Sequence, residues 1–396
     1  MTLSSLLVRG PYHGPSGYDH HTREFVRELV RQGVAVQLVD LPDWGPDRLP
    51  PTARDPWFDT LQRPVPARVA LHFTMPHQVL PHPEMANVNY TMFEATRIPP
   101  IWARHSRSHD LVVVPTESSR CAWMDGGVPA EMIGICPLGV DAAAFARAGE
   151  ALPLVHRSGR PIHSFATRFL NVSALGPRKN LSGLLAAWIT ATSAVDDAVL
   201  ILKLHAPSEG SVRRLLRQAQ NIEAETGRRF HDAAPVHVMT DIIADADMPR
   251  LYAAATHYIS VSLGEGWDQP MVEAAAAGLQ LIAPNHSAYT AYLDESVARL
   301  LPCALEPAVF QDSGDDDIWF RGTEWWRPDP DEARAAIRDA IEGQRSAALA
   351  QDRVATEWTW EQSARRLISI LDEVEKSRVR RWFPAWRRGS RRSAPA

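Results

Sequence analysis

The segment Gly264-Glu265-Gly266-Trp267-Asp268-Gln269-Pro270-Met271-Val272-Glu273 carries two carboxylates eight residues apart. Each can accept two hydroxyl hydrogen bonds. A strand is expected just before it, at Tyr258–Val261, and Pro270 suits the first turn of a helix. Glu265 then lies in the loop beyond a strand's carboxyl end, where open α/β sheets bind ligands. Glu273, in the first helical turn, faces the same crevice, and free amides at that helix start can receive oxygens. The pair suits a ligand with two polyol parts, such as a sugar and a ribose. The spacing fits equally an exposed acid and a glutamate that stabilises its own helix near the positive end of the dipole.

A second cluster is Gly176-Pro177-Arg178-Lys179-Asn180, between an expected strand at Arg168–Ser173 and a helix carrying Leu181, Leu184, Leu185, Trp188 and Ile189. Asn180 is a good N-cap. A lysine beside a helix start can neutralise a diphosphate and speed the departure of a leaving group that gains negative charge. An exposed basic loop has the same composition. The turn Gly14-Pro15-Ser16-Gly17 lets backbone amides approach a phosphate or an acceptor, although Gly/Pro turns are also ordinary structure. His72, His77 and His82 recur every five residues with prolines between them and match no compact ligand set, so no metal is expected. His20 and His21 open a helix and read as solvated, though their loop borders the cleft. Trp319, Trp325 and Trp326 read as packing residues rather than sugar platforms.

The elements that must position these groups alternate. Strands are expected at Leu6–Arg9, Val34–Leu41, Arg68–Phe73, Asn87–Thr91, Leu111–Pro115 and Ile133–Pro137. A second run is expected at Arg168–Ser173, Val199–His205, Val236–Met239, Tyr258–Val261 and Leu279–Ala283. Helices fall between them, the clearest at Asp19–Gln32, Leu181–Thr190 and Pro249–Ala255. The order predicts parallel sheets covered by helices on both faces. Glu306–Asp317 and Trp319–Pro330 read as loops, and Ala333–Ala350 and Glu361–Lys376 as helices. The expected division is a first domain over 1–148, a linker over 149–162, a second domain over 163–358, a terminal crossover helix over 359–376 and a tail over 377–396.

Composition narrows the class. The 396 residues favour two domains, and 45% hydrophobic with 22% charged residues is ordinary for a globular chain. No apolar run reaches the ~20 residues of a membrane helix. The N-terminus lacks the basic and apolar regions of a signal peptide. Three widely spaced cysteines suggest a reduced, cytoplasmic protein. The net charge of −5 is uneven: eight of the 42 basic residues lie from Lys376 to Ala396, which holds no acid, leaving 34 basic against 47 acidic residues elsewhere. The acidic body argues against general nucleic-acid binding.

The Glu265-x7-Glu273 segment resembles the E-x7-E signature of the retaining glycosyltransferases of family four, which have the GT-B architecture. Further stretches are similar in the same order: Val112-Val-Val-Pro-Thr-Glu-Ser-Ser119, Gly127-Val-Pro-Ala130, Ile135-Cys-Pro-Leu-Gly-Val-Asp141, Gly176-Pro-Arg-Lys-Asn-Leu181 and Leu251-Tyr-Ala-Ala-Ala-Thr256. The resemblance spans roughly Ser5 to Trp360. It implies an α/β chain of two Rossmann-like, doubly wound domains facing a cleft. The implied reaction moves a sugar from a nucleotide-sugar donor to an acceptor hydroxyl with retention and no bound metal or other cofactor. Envelope polysaccharide or glycolipid synthesis is the expected setting.

Carried over by motif, Glu265 holds donor-sugar hydroxyls, Glu273 holds the ribose, and Gly266, Trp267 and Asp268 present backbone amides. Lys179 meets the diphosphate, and Gly17 and Ser16 lie beneath it. Two positions depart from the pattern. Asp268 stands where family members often have glycine. Ala174 stands where an arginine is expected to pair with the lysine, leaving Arg178 and Lys203 as candidate substitutes. Glu94, in Asn89-Tyr-Thr-Met-Phe-Glu94-Ala-Thr-Arg97, stands where a sugar-touching histidine is frequent; it either serves the acceptor hydroxyl or pairs with Arg97 at the surface. A nucleotide-sugar epimerase, a glycoside phosphorylase and a non-catalytic scaffold with a decayed phosphate site are the alternatives. In the tail, Val379, Trp382, Phe383 and Trp386 fall on one helical face among arginines. This pattern suits an anionic membrane surface and a lipid-linked or glycan acceptor there.

Overall fold

The computed structural model describes residues 3–45, 48–205, 209–309, 317–343 and 348–382. Six parallel strands form the first sheet: β1 (Ser5–Arg9), β2 (Ala35–Val39), β3 (Val69–Phe73), β4 (Ala86–Tyr90), β5 (Leu111–Val114) and β6 (Ile133–Ile135), in the order β2-β1-β3-β4-β5-β6. β3 and β4 are buried along their whole length because helices cover both faces, and their polar residues His72, Asn87 and Asn89 are hydrogen-bonded there. The second sheet holds β7 (Thr167–Ala174), β8 (Ala198–His205), β9 (Val236–Met239), β10 (His257–Ile259), β11 (Gln280–Pro284) and β12 (Arg299–Leu301). It is again parallel, in the order β12-β11-β10-β7-β8-β9. The protein is therefore a two-sheet α/β molecule whose sheets face a cleft of about 1270 Å³.

Three departures from the expected elements have physical causes. The stretches read as loops contain β13 (Cys303–Pro307), a helix at Asp317–Phe320 and β14 (Glu324–Pro328), with β13 and β14 paired antiparallel. Arg327 pairs with Glu306 across this hairpin, and Trp325 is 1% exposed. The expected Ala333–Ala350 helix runs instead as Pro330–Ile341 and stops at Gly343, whose φ of +78° favours glycine; a separate helix follows at Gln351–Glu357. The terminal helix, Trp360–Trp382, continues past Lys376.

That terminal helix crosses back to the first sheet. Trp360, Ala364, Leu367, Leu371 and Val374 form its buried stripe, and Trp360 meets Phe25 edge-on at 5.4 Å. Gly139 lies directly against the Thr359–Trp360 backbone, leaving no room for a Cβ. Arg366 donates to the Ile135 carbonyl at 2.7 Å, and Arg378 reaches Asp110 at 2.7 Å. The aromatic tail from residue 383, and the side chains of Val379 and Trp382, lie outside the described residues. Residues 149–162 run beside the Met248–Ala253 helix, with the Leu152 amide on the Arg250 carbonyl at 3.0 Å. The β13/β14 arm leaves the second sheet and buries Phe320 and Trp325 with Leu263 against Phe93, Trp102 and Trp123 of the first half, so one hydrophobic core belongs to both halves. No helix of the described residues is long and apolar enough to cross a membrane.

Candidate active site

Both carboxylates of the spaced pair line the cleft. Glu265 sits in the loop after β10, only 4% exposed, and its side chain is fully engaged. Arg178 donates to one oxygen at 2.7 Å, and Lys179 and Ser262 donate to the other at 2.6 and 2.7 Å. Burial opposes its charge, but Arg178 and Lys179 outweigh burial and hold the carboxyl well below the usual range. Gly264 and Gly266 let this loop touch the first half: a Cβ on Gly264 would run into the Glu94 carbonyl, and one on Gly266 would lie 2.6 Å from the Met92 side chain.

Asp268 has a left-handed backbone, φ 60° and ψ 68°, a conformation costly outside glycine. Its carboxylate does not cap the Gln269–Ala276 helix that follows. It accepts from Tyr289 at 2.9 Å and lies 3.7 Å from the Lys179 ammonium; burial and the Glu265 charge raise its pKa. Trp267 is packed by Tyr292 and Trp358, so it lends the cleft only its backbone. Among the described residues no acceptor takes the amides of Gly266, Trp267 or Asp268.

Glu273 accepts from Tyr252 at 2.7 Å, and burial pushes its carboxyl up to about 7. His20 lies 4.0 Å from it and hydrogen-bonds Asp245 at 3.4 Å. Burial disfavours the charged imidazole, but Asp245 outweighs that and raises the His20 pKa. His20 therefore lines the cleft. His21 is buried and held near 3 by desolvation, because its ring packs on Phe73 and Tyr90. His21 is therefore not the solvated residue expected at a helix start, whereas His20, 25% exposed, borders the cleft as its loop position implies. His20, Glu24 and Asp245 bring ligating atoms within 4.8 Å of one another, but Arg23 already occupies Asp245 at 2.9 Å.

The loop over 176–180 comes up on the other side. Asn180, left-handed at φ 50°, caps the Leu181–Ala191 helix by accepting from the Gly183 amide and ties itself to the Val261 carbonyl. Arg178 and Lys179 thereby project toward Glu265. Ala174, at the end of β7, lines the cleft with no charge. On the neighbouring strand Lys203 pairs with Val172, two residues before Ala174. It is 9% exposed, it lines the cleft, and among the described residues its ammonium has no hydrogen-bond acceptor. Burial lowers its pKa, with Asp241 acting weakly the other way.

Glu94 faces the cleft, 3.4 Å from Arg178, and burial raises its pKa despite that cation. Arg97 turns away to the Gly322 carbonyl at 2.9 Å, so the Glu94–Arg97 surface pair does not form. In the first turn, Ser16 caps the Gly17–Arg31 helix through Asp19, and Trp44 donates to its hydroxyl at 3.2 Å. Gly17 has open space around it, whereas a Cβ at Gly14 would meet the Asp19 carboxylate at 2.8 Å. His77 stacks on Trp319 at 4.7 Å and Trp326 on His286 at 5.3 Å, consistent with packing.

Two facing parallel sheets, closed by a helix that returns to the first, define an α/β two-domain protein of the GT-B type. The chain is similar over nearly its full length to solved glycosyltransferase structures. Anabaena HepE, in complex with UDP and glucose, matches with a TM-score of 0.62 and 15% identity, over 93% of this chain and 100% of that one. A glycosyltransferase from Rickettsia africae matches at 0.61 and 12%, over 95% and 100%. Sucrose-phosphate synthase from Thermosynechococcus elongatus matches at 0.59 and 14%, over 97% and 100%. At these identities the likeness establishes the fold. No family model matches the chain, and no curated protein matches it by sequence.

Proposed function

We propose that this protein is a retaining glycosyltransferase that moves a hexose from a nucleotide-sugar to an acceptor hydroxyl. One observation carries the reading: the Lys203 ammonium and the amides of residues 266–268, all without acceptors among the described residues, line one cleft with Glu265 and Glu273. Such an arrangement suits a ligand with an anionic centre between two polyol ends. HepE binding UDP and UDP-glucose in its crystals supports a nucleotide-sugar for the related cleft here.

In this reading Glu273 accepts from the ribose hydroxyls and Glu265 from the donor sugar. Lys203 takes the place of the arginine missing at Ala174; Arg178 is already committed to Glu265 and Glu94. The acceptor hydroxyl attacks the anomeric carbon on the face that the diphosphate leaves. The departing phosphate oxygen receives the hydroxyl proton, and Lys203 and Lys179 stabilise the charge that develops there. Glu94 orients the acceptor. No metal or other cofactor enters this step. A thermal-shift panel of nucleotide-sugars tests the donor site, since a ligand of the native state raises the melting temperature. No shift with any of them overturns the reading.

The C-terminal tail extends the proposal to a peripheral position on the inner face of an anionic membrane, where a polysaccharide or lipid-linked acceptor is at hand. Ala174 favours one second reading, a scaffold that binds the nucleotide-sugar without turnover. Donor hydrolysis or transfer by the purified protein excludes it.

A further inference from the structure

Beside Glu94 the first half lines the cleft with Met92, Met75, Tyr18, Trp44, Leu49 and Pro15. The polar atoms of the two aromatic rings are already used. The Tyr18 hydroxyl accepts from the Met92 amide at 3.3 Å and lies 3.2 Å from the Thr91 hydroxyl. The Trp44 indole N–H donates to Ser16. The rings meet at 4.8 Å, tilted by 47°, and form a corner that offers π surface and C–H groups to the cleft. Met92 touches Gly266, so the corner adjoins the loop that carries Glu265.

Arg178 reaches Glu94 but is held by Glu265, and the other cations near this wall are turned elsewhere. Arg48 lies toward Asp40 and the Leu41 carbonyl, Arg9 toward the Gln78 carbonyl and Arg97 toward Gly322. An anionic acceptor placed here meets Glu94, whose basic neighbours Arg178 and Lys179 are already paired with Glu265. An uncharged sugar ring finds an apolar platform for its C–H face and a carboxylate for its hydroxyl.

We propose that the Tyr18–Trp44 corner is an acceptor subsite for a neutral glycoside, held by stacking on Trp44 with its attacking hydroxyl toward Glu94. This rests on the transfer reading above. The test is saturation-transfer NMR on the full chain with methyl glucoside, galactoside and mannoside, and with the same sugars as 6-phosphates. The expected result is binding of a neutral glycoside, at least about tenfold weaker binding of its phosphate, and a roughly tenfold loss in Trp44→Ala. Trp44→Phe retains most of the binding. Trp44→Ala still melts in a single cooperative transition, which shows that the variant folds. Equal or better binding of the phosphate, or undiminished binding by Trp44→Ala, overturns the subsite. Nucleotide-sugar shifts without any glycoside binding overturn the subsite alone. Glycoside binding at Trp44 without any nucleotide-sugar shift overturns the transfer reading alone, and failure of both ligands overturns both.

Discussion

The ammonium of Lys179 rests 2.6 Å from Oε1 of Glu265, so the cation that faces the diphosphate in the proposed reaction is seated on the carboxylate that faces the sugar. Arg178 holds the second oxygen. Removing this carboxylate leaves two part-buried cations with only their longer contacts, Arg178 to Glu94 at 3.4 Å and Lys179 to Asp268 at 3.7 Å. Glu265→Gln is expected to destabilise the ligand-free protein by about 3 kcal/mol, read by urea denaturation, and to abolish transfer. A nucleotide-sugar that supplies phosphate charge should restore part of the loss. A variant as stable as the parent contradicts the clamp.

Lys203 separates function from stability. Lys203 is 9% exposed, its ammonium has no acceptor among the described residues and burial lowers its pKa, so its charge does not favour folding. Lys203→Met is expected to keep or raise the melting temperature while weakening nucleotide-sugar binding at least about tenfold, as loss of a charge-assisted hydrogen bond implies. Unchanged affinity would remove Lys203 from the phosphate site. If Ala174→Arg creates transfer in an inert parent, the scaffold reading stands.

Glu273 gives the site a pH dependence. Its carboxyl lies near 7 in the fold against 4.5 ordinarily, so the folded state keeps a proton that the unfolded chain releases between those values. Stability from this group is therefore lost as pH rises through that window. Donor binding runs the other way, because ribose hydroxyls need the ionised form. Affinity for an intact nucleotide-sugar, whose diphosphate stays ionised throughout, should rise roughly tenfold from pH 6 to pH 8. In Glu273→Gln most of this rise should be lost, with His20 and Asp268 left as the titrating groups of the cleft, and binding should be weaker by about 1.5–3 kcal/mol. Titration calorimetry at the two pH values decides.

Gly264→Ala tests the contact between the halves. The added methyl meets the Glu94 carbonyl, which belongs to the opposite half. Small-angle scattering should show a larger radius of gyration, and transfer should fall more than donor binding, because the donor groups lie mainly on the second half. An unchanged radius with full transfer refutes the close approach.

The tail is tested by sedimentation with anionic liposomes at low salt. Arg378 is tied to Asp110, so the comparison chain should end at Trp382 rather than at Lys376. The full chain is expected to sediment and the shortened chain to stay in the supernatant, since each basic residue near such a surface contributes about 1 kcal/mol. Equal partitioning refutes docking.

The parallel strands were legible because burial on both faces leaves apolar runs such as Leu111–Val114 that need no partner to be recognised. The β13/β14 arm was not, since Glu306 and Arg327 look solvated until each is seen opposite the other. The cleft carboxylates and Lys203 could be named from motif and strand position. The inward turn of His21, the orientation of Glu94 and the occupation of Arg178 by Glu265 depend on contacts between residues far apart in sequence.

The β13/β14 arm has a thermodynamic consequence. Phe320 and Trp325 are buried among residues of the opposite half, so separating the halves exposes aromatic surface that each half alone cannot cover. Neither sheet can then lose its structure without weakening the other, and the chain is expected to melt in a single cooperative transition. Trp325→Ala, which removes the arm's most deeply buried aromatic from the shared core, should split that transition into two calorimetric peaks.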